Sequence, residues 1–562
     1  MPMNKIVRYW KHILVISLGT IIWSLTMVRS GLLYYFGFGF WGANGHDGIW
    51  HLALARSLAS GNFENPVFAG ETIKNYHIGF DLFLALLHKL TGISVSNLYF
   101  QILPPLFALG IGLLVYWFVW SWRGSKTEAL WATMFVYFSG SFGFLVTLLR
   151  DGVITGESMF WSQQAVSTLI NPPFALSLIF ILSGLIALQK KNLFFSILFF
   201  GLLIQIKAYA AILVLGSLAI TCIYAYYILH TTYYLRVFLG SLILNLVLFA
   251  ITKNDGLSTF VWQPFWFLET MMSYSDRLGW ERFYSAMTTY KMGHIWFKGI
   301  LAYLIAFIIF VVGNMGLRIV GFLYLIKVKI ELVFVFIISI MMSAMAIPLL
   351  FVQKGTPWNT IQFFYYYLFF FAIFAGISFS RIKLNIKYYI FIFFSLFSVW
   401  STLQHYLPKM PQAIVSAEEI VALTFLEEQP GGIVLTYLFD SDKAKVENAN
   451  PPRSLYYYDS TAYVSAISGK KVFIEDEVNL NIMGYDWRKR RNQVAWFISN
   501  LDPVAGKDFL KKNKIKYLYL VKENSPLVGE LLKLGPSDLD LKKIFENKKS
   551  IIYEYGQDFG SD

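Results

Sequence analysis

The stretch HILVISLGTIIWSLTMVRSGLLYYF, residues 12–36, carries a single full charge, Arg29. A helix of roughly 20 mainly apolar residues crosses the hydrocarbon core of a bilayer, so this stretch reads as a membrane span. Lys5, Arg8 and Lys11 precede it and place that end in the cytoplasm. No small-residue cleavage motif follows, and the stretch reads as a retained first helix. Ten further apolar stretches follow, near residues 97–120, 128–149, 171–188, 192–207, 210–228, 236–252, 298–326, 331–351, 361–379 and 387–405. Asn314 and Arg318 interrupt 298–326, which is read as one crossing plus an interfacial piece. The expected fold is an α-helical polytopic membrane protein of about eleven transmembrane helices.

Composition agrees. Of 562 residues, 56% are hydrophobic and 14% charged, and mean hydropathy is +0.54. Soluble domains carry about 25% charge, so this chain lacks the polar surface to cover itself. The 52 Phe and 34 Tyr suit rings packed among helices and at the membrane interface. In a soluble protein the net charge of +13 would suggest nucleic acid. Here the basic residues sit between apolar spans and read as topology determinants, with no nucleic-acid partner. One cysteine, Cys222, excludes an intramolecular disulfide and a cysteine-based metal site. No tandem repeat is present.

Charge fixes the expected orientation. Arg123 and Lys126, Lys190 and Lys191, Arg236, Lys327 and Lys329, then Arg381, Lys383 and Lys387 fall in every second connection, the cytoplasmic ones. The intervening connections, 37–96, 150–170, 253–297 and 352–360, are longer and mixed in charge. An odd number of crossings puts the C-terminus outside. After about residue 408, acids, Lys, Asn and Pro return. Gly432–Tyr437 and Lys514–Val521 read as buried strands, Ala417–Glu427 and Pro503–Lys512 as helices. The expected division is a membrane module over 1–407, its outer loop 37–96 carrying two surface helices, and a small extracytoplasmic α/β domain over 408–562.

Uncommitted polar groups concentrate in the first outer loop. NGHDGIWHLALARSLASG (44–61) and KNYHIGFDLFLALLHKLTG (74–92) hold Asn44, His46, Asp47, His51, Arg56, Lys74, Tyr76, His77 and Asp81. Both segments are too interrupted to span and are expected to lie on the membrane with apolar faces down. In a helix from about Asp47, Asp47 and His51 lie one turn apart on one face, a pairing suited to general-base work or metal binding. Asp47 equally suits an N-cap. No HExxH or CxxC spacing supports a zinc site. In the second outer loop Asp151 is either a second acid or a solvated residue of an Arg-Asp-Gly turn. Lys207, in IQIKAYAAI, has apolar sequence on both sides, where a charge is expensive and usually functional unless it snorkels. Lys354, with Trp358, Asn359 and Gln362 nearby, is a second cation able to clamp phosphate. The third loop, FVWQPFWFLETMMSYSDRLGW, brings aromatic rings with Glu269, Asp276 and Arg277, suited to a sugar, a headgroup or an interfacial belt.

The layout, with NGHDGIWHLALARSL, NYHIGFDLFLALLHKLTG, IKAYAAI and the tail segments STAYVSAISGKKVFIEDEVNLNIMGYDWRKRRNQ and DFLKKNKIKYLYLV, resembles the GT-C class of integral membrane glycosyltransferases. These transfer a sugar from a polyprenyl-phosphate carrier on the outer face. The resemblance implies an acid in the first outer loop as general base, matched by Asp47, and a second acid in the next loop, matched by Asp151 or less well by Glu157. It implies outer basic residues holding the carrier phosphate, matched by Lys207 and then Lys354. His51 is a catalytic partner, and His46, Tyr76, His77 and Glu269 are substrate contacts. Adjacent acids are common in the first loop of that class; here His46 and Gly48 flank Asp47. The implied reaction is a single displacement at the anomeric carbon, with Asp47 deprotonating an acceptor hydroxyl on a glycan, lipid or protein. No metal ligand is assigned; a divalent ion bound by His46, Asp47, His51 and His77 stays open. The rival reading is a transporter or lipid flippase, for which Asn314 and Arg318 suit a gate.

Overall fold

The computed structural model describes residues 3–252, 260–326, 328–499, 502–523 and 536–556, the side chains of 3–9 excepted. Lys327 lies outside the described residues, as do the side chains of Lys5 and Arg8. The chain forms two compact units: Met1–Thr26, Leu103–Ile251 and Gly256–Tyr406 in one, and Met27–Ile102, Thr252–Asp255 and Leu407–Asp562 in the other.

The first unit is helical. Among the described residues eight helices of the protein are long and apolar enough to cross a membrane: Trp10–Val28, Val95–Arg123, Pro172–Gln189, Ala208–Leu229, Tyr233–Ile251, Trp296–Ile326, Leu332–Leu350 and Pro357–Arg381. The pair Lys126–Phe138 and Gly143–Asp151, bent by 41°, makes a ninth. The two remaining expected spans are also helices. Leu193–Ile206 is shorter, and Lys387–Tyr406 is diluted by Ser395, Ser398, Ser401, Thr402 and His405. The chain is a multi-pass membrane protein. Helix α1 (Met3–Val28) ends sooner than expected. Gly31, at φ +72°, turns the chain into an extended pair, Leu32–Tyr34 with Gly37–Phe40.

The short basic connections meet at one end of this unit. Glu128 accepts from Arg123 at 3.2 Å and Arg381 at 2.9 Å, and Trp122 donates to Glu331 at 2.9 Å. Lys387 donates to the carbonyls of Phe379, Ser380 and Ile382 at the C-terminal end of the preceding helix, where a cation also suits the helix dipole. Trp296–Ile326 is one run. Helix Trp296–Met315 tightens at Gly316 into a 3₁₀ stretch. Gly316 has φ +52°, and a Cβ there would lie 2.0 Å from the Gly140 carbonyl oxygen, so only glycine fits.

The second unit joins the early loop to the C-terminal segment. Gly37–Phe40 pairs antiparallel with Ala413–Ser416, Phe38 opposite Val415. Gly37, at φ +116°, leaves no room for a Cβ beside the Val415 carbonyl. A five-stranded sheet runs in the order Leu541–Glu546, Ser550–Tyr555, Ile515–Val521, Ile433–Leu435 and Lys471–Val472. Its first two pairings are antiparallel and the others parallel. The expected strands and helices of the tail are present at Ile433–Leu435, Ile515–Val521, Ala417–Glu428 and Pro503–Lys512. The early loop's Pro66, Val67 and Ala69 hydrogen-bond to Val472 and Glu475.

One expectation is corrected. Helix α2 (Asp47–Ala59) is no surface helix: ten of its residues are buried. Ile49, Trp50, Leu52, Ala53, Leu54, Ala55 and Leu58 surround it with apolar side chains, leaving no polar stripe. Arg56 fastens it to the tail by donating to the carbonyls of Ala466 and Ile467 and pairing with Glu427. Helix α3 (Gly79–Thr91) is amphipathic as expected, with Leu82, Leu86 and Leu90 exposed at i, i+4 and i+8.

Candidate functional site

In the second unit the 3₁₀ turn Gly42–Gly45 feeds α2. Asn44 is buried there and donates to Ser30 Oγ at 3.0 Å. Asp47 is the first residue of α2, where a carboxylate suits the positive end of the helix dipole. Its side chain is 57% exposed, and His46 Nδ1 lies 3.0 Å from its Oδ1. His46 holds the N-cap position, so Asp47 is not the N-cap that its position also suited. The His46 ring stacks on Tyr458, 6.3 Å between centroids, and the Arg453 guanidinium lies 3.4 Å from the Tyr458 ring centre. Burial works against the charged imidazole of His46. The charge and hydrogen bond of Asp47, with Asp476 and Asp459 behind, outweigh it and raise its pKa.

His51 does not pair with Asp47. Its Nδ1 lies 2.7 Å from Asp81 Oδ1, and both groups are buried. The ring packs edge-on to Phe80 and stacks on Tyr99. Burial raises the Asp81 pKa although His51 draws it down. Asp81 is thirty residues further along, a partner that helical spacing cannot reveal. Tyr76 packs edge-on against Trp50 at 5.5 Å and lies tilted against His77 at 4.8 Å. Burial, then Asp81, raises the Tyr76 pKa well above its ordinary value.

The tail contributes two acids that sequence reasoning passed over. Glu475 accepts from the backbone N–H of Val464 and Ser465. Asp476, at φ +53°, accepts from Asn479. Burial pushes Glu475 up to about 8 and Asp476 up to about 7, the Asp47 charge adding to the latter. Folded, these carboxyls hold protons that the unfolded chain releases near the ordinary values of 4.5 and 3.8. Stability is therefore greatest in acid, falls as pH rises toward about 8, and levels off above it. The thermal midpoint in detergent is expected to drop between pH 5 and pH 8, and Glu475→Gln to flatten that slope. A flat or rising profile in the unaltered protein contradicts this. No group of three or more His, Cys, Asp or Glu among the described residues is arranged to hold a metal ion.

The first unit holds the expected cations. Lys207 interrupts the apolar run Leu203–Leu229 in extended conformation, between helices Leu203–Ile206 and Ala208–Leu229. It is 6% exposed. Its Nζ donates to Asn171 Oδ1 at 3.4 Å and lies 5.4 Å from the Tyr209 ring. Asn171 also caps helix Pro172–Gln189 and donates to Gln362 at 3.4 Å. Gln362 lines a cleft of about 400 Å³ with Trp161, Tyr274, Arg277, Trp358 and Tyr365. Trp161 sits at φ +75°, and its buried Nε1 has no hydrogen-bond partner among the described residues. The Arg277 guanidinium lies 4.3 Å from the centre of its ring. Sequence reasoning named Arg277, Trp358 and Gln362 in passing and missed Trp161.

The other candidates in this unit are spread out. Asp151 ends helix Gly143–Asp151 before Gly152. It is half exposed and paired with Arg150 at 2.9 Å. Glu157 is buried and accepts from Ser167 at 2.6 Å and the Gln164 N–H at 2.8 Å. Its other oxygen has no partner among the described residues, and burial raises its pKa. Glu269 pairs with Lys291 at 2.8 Å and bonds Tyr303. Lys354 is exposed in a bend.

No protein-family model matches the chain, and no curated protein matches it. Solved structures to which it is similar include the archaeal oligosaccharyltransferase AglB from Archaeoglobus fulgidus in complex with an inhibitory peptide and a dolichol-phosphate. There the TM-score is 0.45 and identity 10%, over 92% of this chain and 70% of that one. The apo form of the Archaeoglobus fulgidus oligosaccharyltransferase gives 0.47 and 12%, over 91% and 70%. ArnT from Cupriavidus metallidurans bound to undecaprenyl phosphate gives 0.37 and 10%, over 96% and 97%. These neighbours are GT-C glycosyltransferases. At TM-scores of this size the likeness carries no residue, substrate or reaction over to this chain.

Proposed function

We propose that the protein is a membrane glycosyltransferase that moves a sugar from a polyprenyl-phosphate carrier to an acceptor hydroxyl on the extracytoplasmic face. The N-terminus is cytoplasmic and the C-terminal segment extracytoplasmic. The observation that carries this reading is the exposed His46–Asp47 pair at the head of an otherwise buried helix. An exposed carboxylate held there beside an imidazole is placed to take a proton. Asp47 deprotonates the acceptor hydroxyl, and its oxygen attacks the anomeric carbon. The bond from that carbon to the carrier phosphate breaks, and the phosphate leaves with the electron pair.

Lys207 is assigned to the phosphate. A buried lysine in an otherwise apolar run is expensive and suits a functional role such as holding a phosphate. Arg277 and the rings around the cleft suit the sugar, with Lys354 as a second cation. Each role is tested by itself. A charge-assisted hydrogen bond is worth about 1.5–3 kcal/mol, so Lys207→Gln is expected to raise the donor KM about 10- to 100-fold, with kcat changed less. An unchanged KM in the folded variant removes Lys207 from the phosphate site. No observation favours the transporter. Arg318 donates to Gln164 Oε1 and to the carbonyls of Asn314 and Ser139, and Asn314 donates to Phe160 and Phe310. The residues suited to a gate are tied into the packing.

A further inference from the structure

In the first unit the Tyr137 side chain is wedged between α1 and helix Val95–Arg123: a Cβ on Gly19 would lie 2.3 Å from its ring, and one on Gly112 2.0 Å from its hydroxyl. That hydroxyl donates to the Ala108 carbonyl at 2.7 Å. Tyr137 holds the helices apart, and a groove of about 460 Å³ opens between Ile16 and Ser17 on one wall and Leu113 and Tyr116 on the other. From Leu109 to Trp120 it runs about 16 Å at 1.5 Å per residue, the length of most of an acyl chain. Its lining is mostly apolar, with Ser17 and His12 on α1 and with Trp120 and Lys126 at one end.

That end is cationic and aromatic. Lys126 lies 5.0 Å from the Trp120 ring and Lys190 4.4 Å from Trp117. Trp117 and Trp120 are exposed, as rings at a headgroup layer are. An apolar trough ending at lysines between helix ends complements an anionic headgroup carrying a hydrocarbon tail. A second protein helix would supply no anion to that end.

We propose that this groove binds one anionic phospholipid, its acyl chain between α1 and helix Val95–Arg123 and its phosphate at Lys126. The site is independent of the proposed reaction. The test is native mass spectrometry of the delipidated full-length protein, titrated with phosphatidylglycerol and with phosphatidylcholine. One phosphatidylglycerol is expected to bind about fivefold tighter than phosphatidylcholine, the effect of one cation near a headgroup. Lys126→Gln is expected to abolish the preference. Leu113→Trp, or Ser17→Trp from the opposite wall, is expected to expel the lipid. Ile243→Trp, on an exposed helix face elsewhere, leaves it bound and controls for added bulk. Equal binding of the two lipids, or lipid retained in both groove variants, overturns the proposal. A dimer that the groove variants dissolve also overturns it, since the occupant is then a second copy.

Discussion

Asp47→Asn is expected to slow sugar transfer by about 10²- to 10⁴-fold, the contribution of a positioned general base. Asn keeps the size of the side chain and removes its ability to take a proton. The expected effect on folding is small. Asp47 is 57% exposed and is not the N-cap of its helix, so the expected loss is a helix-dipole interaction of about 0.3–1 kcal/mol. Rate and stability are therefore separable here: transfer in vesicles falls while the thermal midpoint stays nearly constant. Full activity in the folded variant removes Asp47 from the reaction.

Asp81→Ala is expected to act the other way. His51 and Asp81 are buried, 2.7 Å apart, and removing one partner leaves an unsatisfied imidazole in the core, at a cost of about 2–4 kcal/mol. Asp81→Asn keeps an acceptor and loses less. Thermal denaturation in detergent reads the order: unaltered, Asn, Ala. An Ala variant as stable as the unaltered protein contradicts the pairing, and His51 is then free for chemistry.

The membrane architecture was open to sequence reasoning because its signal is local. Runs of apolar residues and the alternation of basic connections report spans one at a time, and each of the eleven expected stretches contains a helix. The C-terminal strands were legible for the same reason. In KIKYLYLV the run Tyr517–Val521 is apolar on both faces, as a buried strand is. What escaped depends on contacts between distant segments. Helix α2 looked like a surface helix because its buried neighbours, such as Tyr463–Ser468, lie four hundred residues away. His51 found Asp81 rather than Asp47 because α3 folds back along α2, which periodicity within one helix cannot report. Glu475 and Asp476 lie in the charged run IEDE, and nothing local marks them as buried. Lys207 was legible, since a lone charge in an apolar run is expensive. Trp161 was not: its left-handed backbone and unpartnered indole nitrogen leave no mark in composition.

The most direct test of the central claim follows the carrier itself. The protein is placed in vesicles with a polyprenyl-phosphate-linked sugar and an envelope glycan extract as acceptor. Free polyprenyl phosphate is then followed by mass spectrometry, alongside the distribution of the carrier across the bilayer. Sugar transfer predicts that free polyprenyl phosphate accumulates with the unaltered protein and not with Asp47→Asn. Carrier that crosses the bilayer with its sugar still attached, and no polyprenyl phosphate released, contradicts the account and makes the protein a flippase.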